Sequence, residues 1–531
     1  MKNYIFGAIL FVFVVTGLNT AAVNGDMFQA DQSIFTDLAY EFAGQPTWLK
    51  LVPPAHIATG AKTDTHPLAP YCFSFLTKDF PSFFPRGKLL NLLFGLIALI
   101  SLGWVVSLHC GKAAALIATF CLATNVFFIQ NCTKLSSEPL MLLFFILWLH
   151  YSCLCLLAEN KSHKNWIVSG SCAGLAYLAK PQAILLPIVF LLAFIYERKR
   201  PQSATAVLAF YISFLLFASP LMWSRITEGR FPFYNANFNT VFSMTIDNYD
   251  DSTDIPKLDQ RGIKGNLSHF FQTQNIVDYL CEIPTFCKRL VNRIFNRLLP
   301  GPIPGSVLLI LFLSLFYYFA RHGVSRSELA PFLVPFFVLY SLALLPVTRD
   351  NDSARFYLPL LVSFYFVLGS LCARFIEGHE ERFEQMLLAL VVIAFFALPI
   401  RMFLKGQWGN PLSATDSSIE LSLAWLSKNA QNRTIFYPSQ ENWWLSKSAL
   451  AAKKFELVEI TRANASKKLK ADGDGLLILS TSSFNYDFGK VGKEVYFVPA
   501  EAKLDDIKLQ QCLPAKKSKI GLYQVSVHRQ P

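Results

Sequence analysis

The sequence predicts an α-helical polytopic membrane protein with juxtamembrane helices and a small α/β domain outside the membrane near the C-terminus. Hydrophobic residues make up 53% of the 531 residues, and charged residues make up only 16%. Soluble proteins carry about 25% charged residues. The apolar residues fall into runs of roughly the 17–25 residues that a helix needs to cross a bilayer. Basic residues lie scattered in short turns, so nucleic-acid binding is not expected despite the net charge of +12.

The apolar runs predict about eleven transmembrane helices. The first is interpreted as a retained helix, although its small-residue end also fits a signal peptide. The fifth and sixth are interpreted as two spans, with one helix broken at Lys180 and Pro181 as the alternative. The predicted spans are 4–18, 88–108, 113–128, 139–157, 166–178, 183–196, 204–222, 306–319, 330–346, 356–375 and 386–403.

The charges of the turns predict the orientation of these spans. Turns such as "AENKSHKN", "ERKRPQS" and "ARHGVSRSE" are basic and short, as is typical of the cytoplasmic side. The N-terminus is therefore expected inside, and loops 20–87 and 223–305 and segment 405–531 are expected outside. Because long loops on a scaffold carry function, the working face is predicted to be extracytoplasmic.

Segments 32–42 and 287–300 are predicted to form amphipathic helices on the membrane surface. In the first, Ile34, Leu38 and Phe42 repeat every four residues. In the second, arginines recur every four residues, Arg293 among them, beside an apolar stripe. These arginines either contact lipid headgroups or line a cavity for a lipid phosphate.

Segment 405–531 is predicted to be a separate α/β domain, which divides the chain into 1–404 and 405–531. "IELSLAWLSKNA" has helical spacing, whereas "RTIFYP", "GLLILST", "EVYFVP" and "KIGLYQVSV" are short β-type runs between polar turns. The segment carries no catalytic motif, so a lid or stabilising cap is its expected role.

Ionisable residues collect at the predicted outer ends of the spans and in the two large outer loops. A charged side chain at a membrane boundary often merely extends to the polar surface, so each such residue alone is weak evidence for a functional site. Together they place carboxylates and cations on one side of one bilayer, which suits chemistry on a phosphate-bearing lipid. The candidates are Asp26, Asp31, His66, Glu138, Lys180, Arg293, Arg349 and Arg355.

Five sequence segments resemble, in order and sidedness, the GT-C glycosyltransferases of the protein-mannosyltransferase and aminoarabinose-transferase type. They are "GDMFQADQSIFTDLAYEFA", "HPLAPY", "KLSSEPLMLLFF", "GLAYLAKPQAILLP" and "ARFYLPLL". One departure concerns the first loop, where the family often has Asp-Glu and this chain has Asp31-Gln32. Either Asp31 or Asp26 could therefore occupy the catalytic position, and Asp31 could alternatively cap the surface helix.

The resemblance implies an enzyme that transfers a sugar from a polyprenyl-phosphate carrier, with inversion, to a lipid, glycan or protein acceptor. Asp31, or Asp26, would act as the base. Cations would stabilise charge on the leaving phosphate: Lys180 and Arg355 first, then Arg349 and Arg293. Glu138 would orient the acceptor, hold a divalent cation or charge the start of its helix, and His66 would be a metal ligand or structural.

The resemblance further implies a multi-pass protein of a bacterial inner membrane whose site faces the periplasm. Three other functions stay open at this stage. A transporter or flippase would bury ionisable residues at mid-membrane depth. An O-antigen ligase or polymerase would use a diphosphate carrier, and a receptor-like protein would bind its ligand through the segment 405–531.

Overall fold

The structure, a computed structural model, describes the following parts of the chain: 2–23, 30–43, 66–78, 80–156, 162–196, 204–227, 232–233, 330–344, 357–376, single residues between 277 and 289, 467–468, and six strands between 434 and 526. Within these residues there are twelve α-helices: α1 (Lys2–Val23), α2 (Ala30–Ala43), α3 (Leu68–Ser74), α4 (Phe80–Cys110), α5 (Lys112–Ala123), α6 (Val126–Cys132), α7 (Glu138–Leu156), α8 (His163–Ala179), α9 (Leu185–Tyr196), α10 (Ala204–Thr227), α11 (Ala330–Leu344) and α12 (Leu358–Ile376).

The helices confirm the predicted α-helical, multi-pass membrane fold, whereas the count of eleven spans stays a prediction. Four of them, α1, α4, α7 and α10, are long and apolar enough to cross a membrane, and the bent pair α5 and α6 would make a fifth span. Shorter apolar helices cover the predicted sixth, ninth and tenth spans. The chain is a multi-pass membrane protein. The predicted spans 306–319 and 386–403 lie outside the described residues.

The predicted third span is a broken helix rather than a continuous one. Helices α5 and α6 meet at an angle of 67°. The Asn125 side chain accepts a hydrogen bond from Phe128 N (3.0 Å) and so caps α6. Its amide nitrogen donates to the Tyr365 hydroxyl on α12 (3.0 Å). The break is therefore satisfied by side chains, as a polar backbone inside a membrane requires.

The predicted fifth and sixth spans are separate helices in the structure. Helix α8 ends at Ala179, Lys180 has an extended backbone (φ −155°, ψ 137°), and a short 3-10 helix (Pro181–Ile184) leads into α9. The proline favours this interruption because it offers no backbone N–H to the helix that would otherwise continue.

Helix α8 packs closely against α7 on one side and α10 on the other. Glycines allow the approach to α10, since a Cβ built on Gly170 would lie 2.1 Å from the Phe210 carbonyl oxygen. A Cβ on Gly174 would lie 2.7 Å from the Phe217 Cβ. Small residues four apart let helix backbones come together in membranes. The ends of these three helices position the site described below.

The predicted amphipathic helix 32–42 is present as α2, two residues longer at its start and one at its end than expected, and its predicted place on the outer membrane surface stays a prediction. It begins at Ala30, so Asp31 is its second residue rather than a residue preceding it. The apolar face is buried, with Phe35, Leu38 and Phe42 each at most 7% exposed. Helix α2 packs against α3.

The C-terminal segment contributes a mixed six-stranded sheet of order β2-β1-β3-β6-β5-β4. The strands are β1 (Thr434–Pro438), β2 (Glu456–Ile460), β3 (Leu476–Ser480), β4 (Glu501–Leu504), β5 (Ile507–Gln511) and β6 (Ile520–Ser526). β1 pairs in parallel with β2 and β3, and the other pairs are antiparallel. Strands β1, β3 and β6 match predicted runs, whereas the predicted boundary at residue 404 remains a prediction.

Candidate active site

Four polar residues from separate parts of the sequence meet at one end of the helix bundle. Glu138 begins α7, Lys180 follows α8, Arg225 lies in the last turn of α10, and His66 precedes α3. All four are buried, with exposed fractions of 8% or less. The turn charges predict that these ends lie outside the membrane, and that orientation stays a prediction. Of the eight residues predicted from the sequence, the structure brings together His66, Glu138 and Lys180.

Glu138 and Lys180 form a buried ion pair between the Lys180 Nζ and a Glu138 carboxylate oxygen. The extended backbone of Lys180 turns the chain out of α8, and its N–H still bonds to the Ala176 carbonyl oxygen (2.8 Å). The Glu138 carboxylate also lies at the positive end of the α7 dipole. The sequence prediction named both residues, and the structure brings them together.

His66 is held by the end of α8. Its Nδ1 is hydrogen-bonded to the Tyr177 carbonyl oxygen, which requires Nδ1 to carry the hydrogen, and its ring packs edge-on against the Tyr177 ring (centroids 5.1 Å apart). Burial, with the positive charges of Arg225 and Lys180, lowers the pKa of His66 to about 3, although the contact with the Tyr177 carbonyl opposes this shift. His66 is therefore neutral at physiological pH.

Arg225 is the site residue that the sequence analysis missed. The predicted seventh span ends at residue 222, so Arg225 falls in the predicted outer loop, whereas α10 continues to Thr227. The arginine is 1% exposed and interacts electrostatically with His66 and Tyr177. In the sequence, the one sign of its role is that Arg225 lies less than one helical turn beyond the end of an apolar run.

Two tyrosines extend the surroundings of Glu138. Tyr340 on α11 interacts electrostatically with Glu138 and with Tyr357, which precedes α12. Both tyrosines are 1% exposed. The carboxylate thus interacts with a lysine and with the phenol of Tyr340, and both kinds of group can orient a polar ligand by hydrogen bonds.

The remaining predicted site residues lie beyond what the structure describes. This applies to Asp26, Arg293, Arg349 and Arg355 and to the side chain of Asp31, whose backbone belongs to α2. Their roles stay predictions.

The described residues do not fit a metal ion. No group of three His, Cys, Asp or Glu side chains among them is arranged to hold one. Glu138 is paired with Lys180, and His66 lies beside two cations that oppose a further positive charge.

Residues 64–223 match the family described as dolichyl-phosphate-mannose-protein mannosyltransferase. His66, Glu138 and Lys180 lie inside the matched segment, and Arg225 lies two residues beyond it. No curated protein sequence matches the chain significantly.

The Archaeoglobus fulgidus oligosaccharyltransferase, solved in complex with Zn and sulfate, superposes on 85% of this chain with a TM-score of 0.52 at 13% identity. Its apo form gives a TM-score of 0.52 at 10% identity over 90% of this chain and 69% of that chain. This chain has a GT-C fold. ArnT from Cupriavidus metallidurans, bound to undecaprenyl phosphate, gives a TM-score of 0.44 at 10% identity over 98% of both chains.

The predicted resemblance to GT-C proteins is thereby confirmed in fold. The chain spans 62% of the length of the oligosaccharyltransferase solved with Zn and sulfate. At these identities the likeness concerns the fold. The chemistry of this chain depends on its own residues.

Proposed function

We propose that this protein is a membrane glycosyltransferase that moves a sugar from a polyprenyl-phosphate carrier to a lipid, glycan or protein acceptor on the extracytoplasmic face. The observation that carries the proposal is the buried cluster of Lys180, Arg225, Glu138 and His66. Three of its members lie in the segment that matches a family named for a dolichyl-phosphate sugar donor.

The reaction needs a base and a place for an anionic leaving group. An acceptor hydroxyl or amide attacks the anomeric carbon, the bond from that carbon to the phosphate oxygen breaks, and the polyprenyl phosphate leaves with the electron pair. The proton of the acceptor passes to a carboxylate, for which Asp31 is the first choice and Asp26 the second. Attack opposite the leaving phosphate inverts the anomeric centre.

The cluster suits the leaving phosphate because of its charge. Lys180 and Arg225 contribute two positive charges, Glu138 one negative charge, and neutral His66 none, so the four groups sum to +1. Fixed cations away from water stabilise charge as it develops, without having to reorganise. Arg355, Arg349 and Arg293 are proposed as further phosphate partners.

Glu138 is proposed to act through position rather than as the base. Its ion pair with Lys180 fixes the ammonium group in a buried site, and Tyr340 lies within electrostatic reach of the same carboxylate. In this proposal the ion pair holds the Lys180 ammonium group where a ligand phosphate would bind. We further place the enzyme in a bacterial inner membrane with this site toward the periplasm.

The direct test is transfer by the purified full chain in lipid nanodiscs. Short polyprenyl-phosphate sugars of different identity serve as donors, membrane lipid extracts and peptides serve as acceptors, and mass spectrometry detects the product. Asp31→Asn is expected to abolish turnover while the protein still inserts and folds. Full activity in both Asp31→Asn and Asp26→Asn would exclude the proposed base.

A matched pair of lysine variants tests the phosphate site. Lys180→Met is expected to lower kcat by about 10²-fold or more, as loss of a preorganised charge does. Lys112→Met removes an exposed cation at the start of α5, at the other end of the bundle, and should leave kcat unchanged. Arg225→Gln should weaken binding of polyprenyl phosphate alone. Transfer of a preassembled glycan from a diphosphate carrier would instead favour a ligase.

A further inference from the structure

A network of buried hydrogen bonds lies behind the site, in the turn that joins α6 to α7. We name it the outer-turn clamp; its members are Gln32, Asn91, Asn131, Leu135 and Ser136. The turn leads directly into Glu138, since Leu135 precedes that residue by three positions. Gln32 comes from α2 and Asn91 from α4, so the clamp joins helices that are distant in sequence.

Asn91 fastens the turn to a membrane helix. Its side-chain NH₂ group has three acceptors in range, Asn131 O (2.9 Å), Lys134 O (2.6 Å) and Ser136 Oγ (3.1 Å), so one of its two N–H groups is shared between two of them. Ser136 Oγ donates in turn to Asn131 O (2.7 Å). Asn91 is 0% exposed, so these bonds replace water at groups that would otherwise be buried without hydrogen bonds.

The turn also packs against α4 through Leu135. A Cβ built on Gly87 would lie 2.4 Å from Leu135 Cδ2, so the leucine side chain fills the space that the glycine leaves. Leu135 is 1% exposed. Hydrogen bonds on one side and close packing on the other therefore fix the backbone of this turn.

Gln32 joins α2 to the fixed turn. Its Oε1 accepts a hydrogen bond from Leu135 N (3.0 Å), and the glutamine is 1% exposed. Asp31 precedes Gln32 directly, and neighbouring Cα atoms lie about 3.8 Å apart. The contact therefore holds the backbone of the proposed base relative to the turn that carries Glu138.

We infer that Gln32 and Asn91 are positioning residues. Their hydrogen bonds hold the start of α2, and with it Asp31, in a fixed position relative to the Glu138–Lys180 pair. This inference rests on the proposed function for its catalytic meaning. A glutamine suits the role because its carbonyl oxygen accepts from the buried N–H of Leu135 without adding a charge.

Hydrogen exchange on the full chain in nanodiscs tests whether the hydrogen bond from Leu135 N to Gln32 forms, and it requires no catalysed reaction. Gln32→Met keeps the length of the side chain and removes the acceptor, whereas Gln32→Glu keeps an acceptor. The Leu135 amide should exchange at least tenfold faster in Gln32→Met and at the original rate in Gln32→Glu. Unchanged exchange in Gln32→Met would overturn the clamp.

Steady-state kinetics test whether this hydrogen bond positions Asp31 for catalysis. Gln32→Met should lower kcat by about 10²-fold, the loss that a misplacement of about 1 Å produces, while KM for the donor stays unchanged. Gln32→Glu should recover most of kcat. Wild-type kcat in a Gln32→Met protein whose Leu135 amide exchanges fast would overturn the positioning role.

Asn91→Leu provides a second variant, with Asn131→Leu as its matched control. Among the described residues, the hydrogen bond of the Asn131 side chain goes to Phe127 O (2.7 Å) within α6, and the substitution leaves the Asn131 backbone carbonyl in the clamp. Asn91→Leu should speed amide hydrogen exchange in residues 133–137, whereas Asn131→Leu should leave it at the wild-type rate. Equal exchange rates in the two variants would contradict the clamp. Absence of transfer from every polyprenyl-phosphate sugar by the wild type would refute the proposed function and leave the exchange result intact.

Discussion

Acidification should destabilise this protein through His66. The folded state holds the imidazole neutral, with a pKa of about 3, because the ring is buried and lies near the positive charges of Arg225 and Lys180. In the unfolded state the same ring has its ordinary pKa of 6.5. Because the unfolded state binds the proton more tightly, the contribution of His66 to stability is present above pH 6.5 and is lost as the pH falls toward 3.

The loss of stability at pH 5 follows from the difference between this pH and the pKa of His66 in the unfolded state. At that pH the unfolded ring is almost fully protonated and the folded ring almost fully neutral. The free energy of unfolding should therefore fall by about 2 kcal/mol between pH 7 and pH 5, at 1.36 kcal/mol for each pKa unit. The loss at pH 5 depends on the unfolded pKa, because the folded pKa lies far below this pH.

The assay compares wild type with His66→Asn by equilibrium unfolding in mixed micelles at pH 7 and pH 5. The asparagine amide can still donate to the Tyr177 carbonyl and does not titrate in this range. The difference in free energy of unfolding between the two proteins should shift by about 2 kcal/mol in favour of the variant at pH 5. His163→Asn, an exposed histidine at the start of α8, is the control. A difference that stays constant, or that shifts in favour of wild type, would refute the argument.

Two further predictions concern packing and charge. Lys180→Met should lower the free energy of unfolding by about 3–5 kcal/mol, because Glu138 then stays buried without its ammonium partner, and adding Glu138→Gln should recover most of the loss. Equilibrium unfolding measures both, and no recovery in the double variant would contradict the ion pair. Gly170→Ala should cost about 1–3 kcal/mol, since its Cβ would lie 2.1 Å from a carbonyl oxygen of α10. Gly7→Ala in α1, where the Cβ meets nothing within 4 Å, should raise the melting temperature, and equal effects would contradict the close contact.

The membrane helices were predictable because hydrophobic run length alone determines them. The predicted starts and ends of the spans at α7 and α8 lie within three residues of those observed. Helix α2 was predictable from its four-residue repeat of Ile34, Leu38 and Phe42. The break between α5 and α6 was not, since it depends on Asn125 reaching Tyr365, far away in sequence.

Parts of the site were predictable for a different reason. Glu138 and Lys180 stand at the ends of apolar runs in segments that resemble a known family, so each is predictable without its partner. Arg225 lies in no such segment, and only the packing of α10 buries it. Gln32 stands out in the sequence only as a departure from Asp-Glu, because a single sequence does not reveal its hydrogen bond to Leu135.

The sheet was only partly predictable. β1, β3 and β6 consist mainly of apolar and β-branched residues, which favour strands. β2, β4 and β5 contain Glu, Lys and Gln at many positions, so pairing with neighbouring strands decides their conformation. The predicted run "EVYFVP" lies outside the described residues.

The glycine contact between α8 and α10 has a mechanical consequence. The Gly170 backbone lies so close to Phe210 that a Cβ built on the glycine would be 2.1 Å from the Phe210 carbonyl oxygen. Because closely packed interiors transmit displacement rather than absorb it, we expect α8 and α10 to move together. Lys180, which follows the first helix, and Arg225, in the last turn of the second, would then shift as one unit, and any opening that admits a bulky substrate would involve other helices around the site.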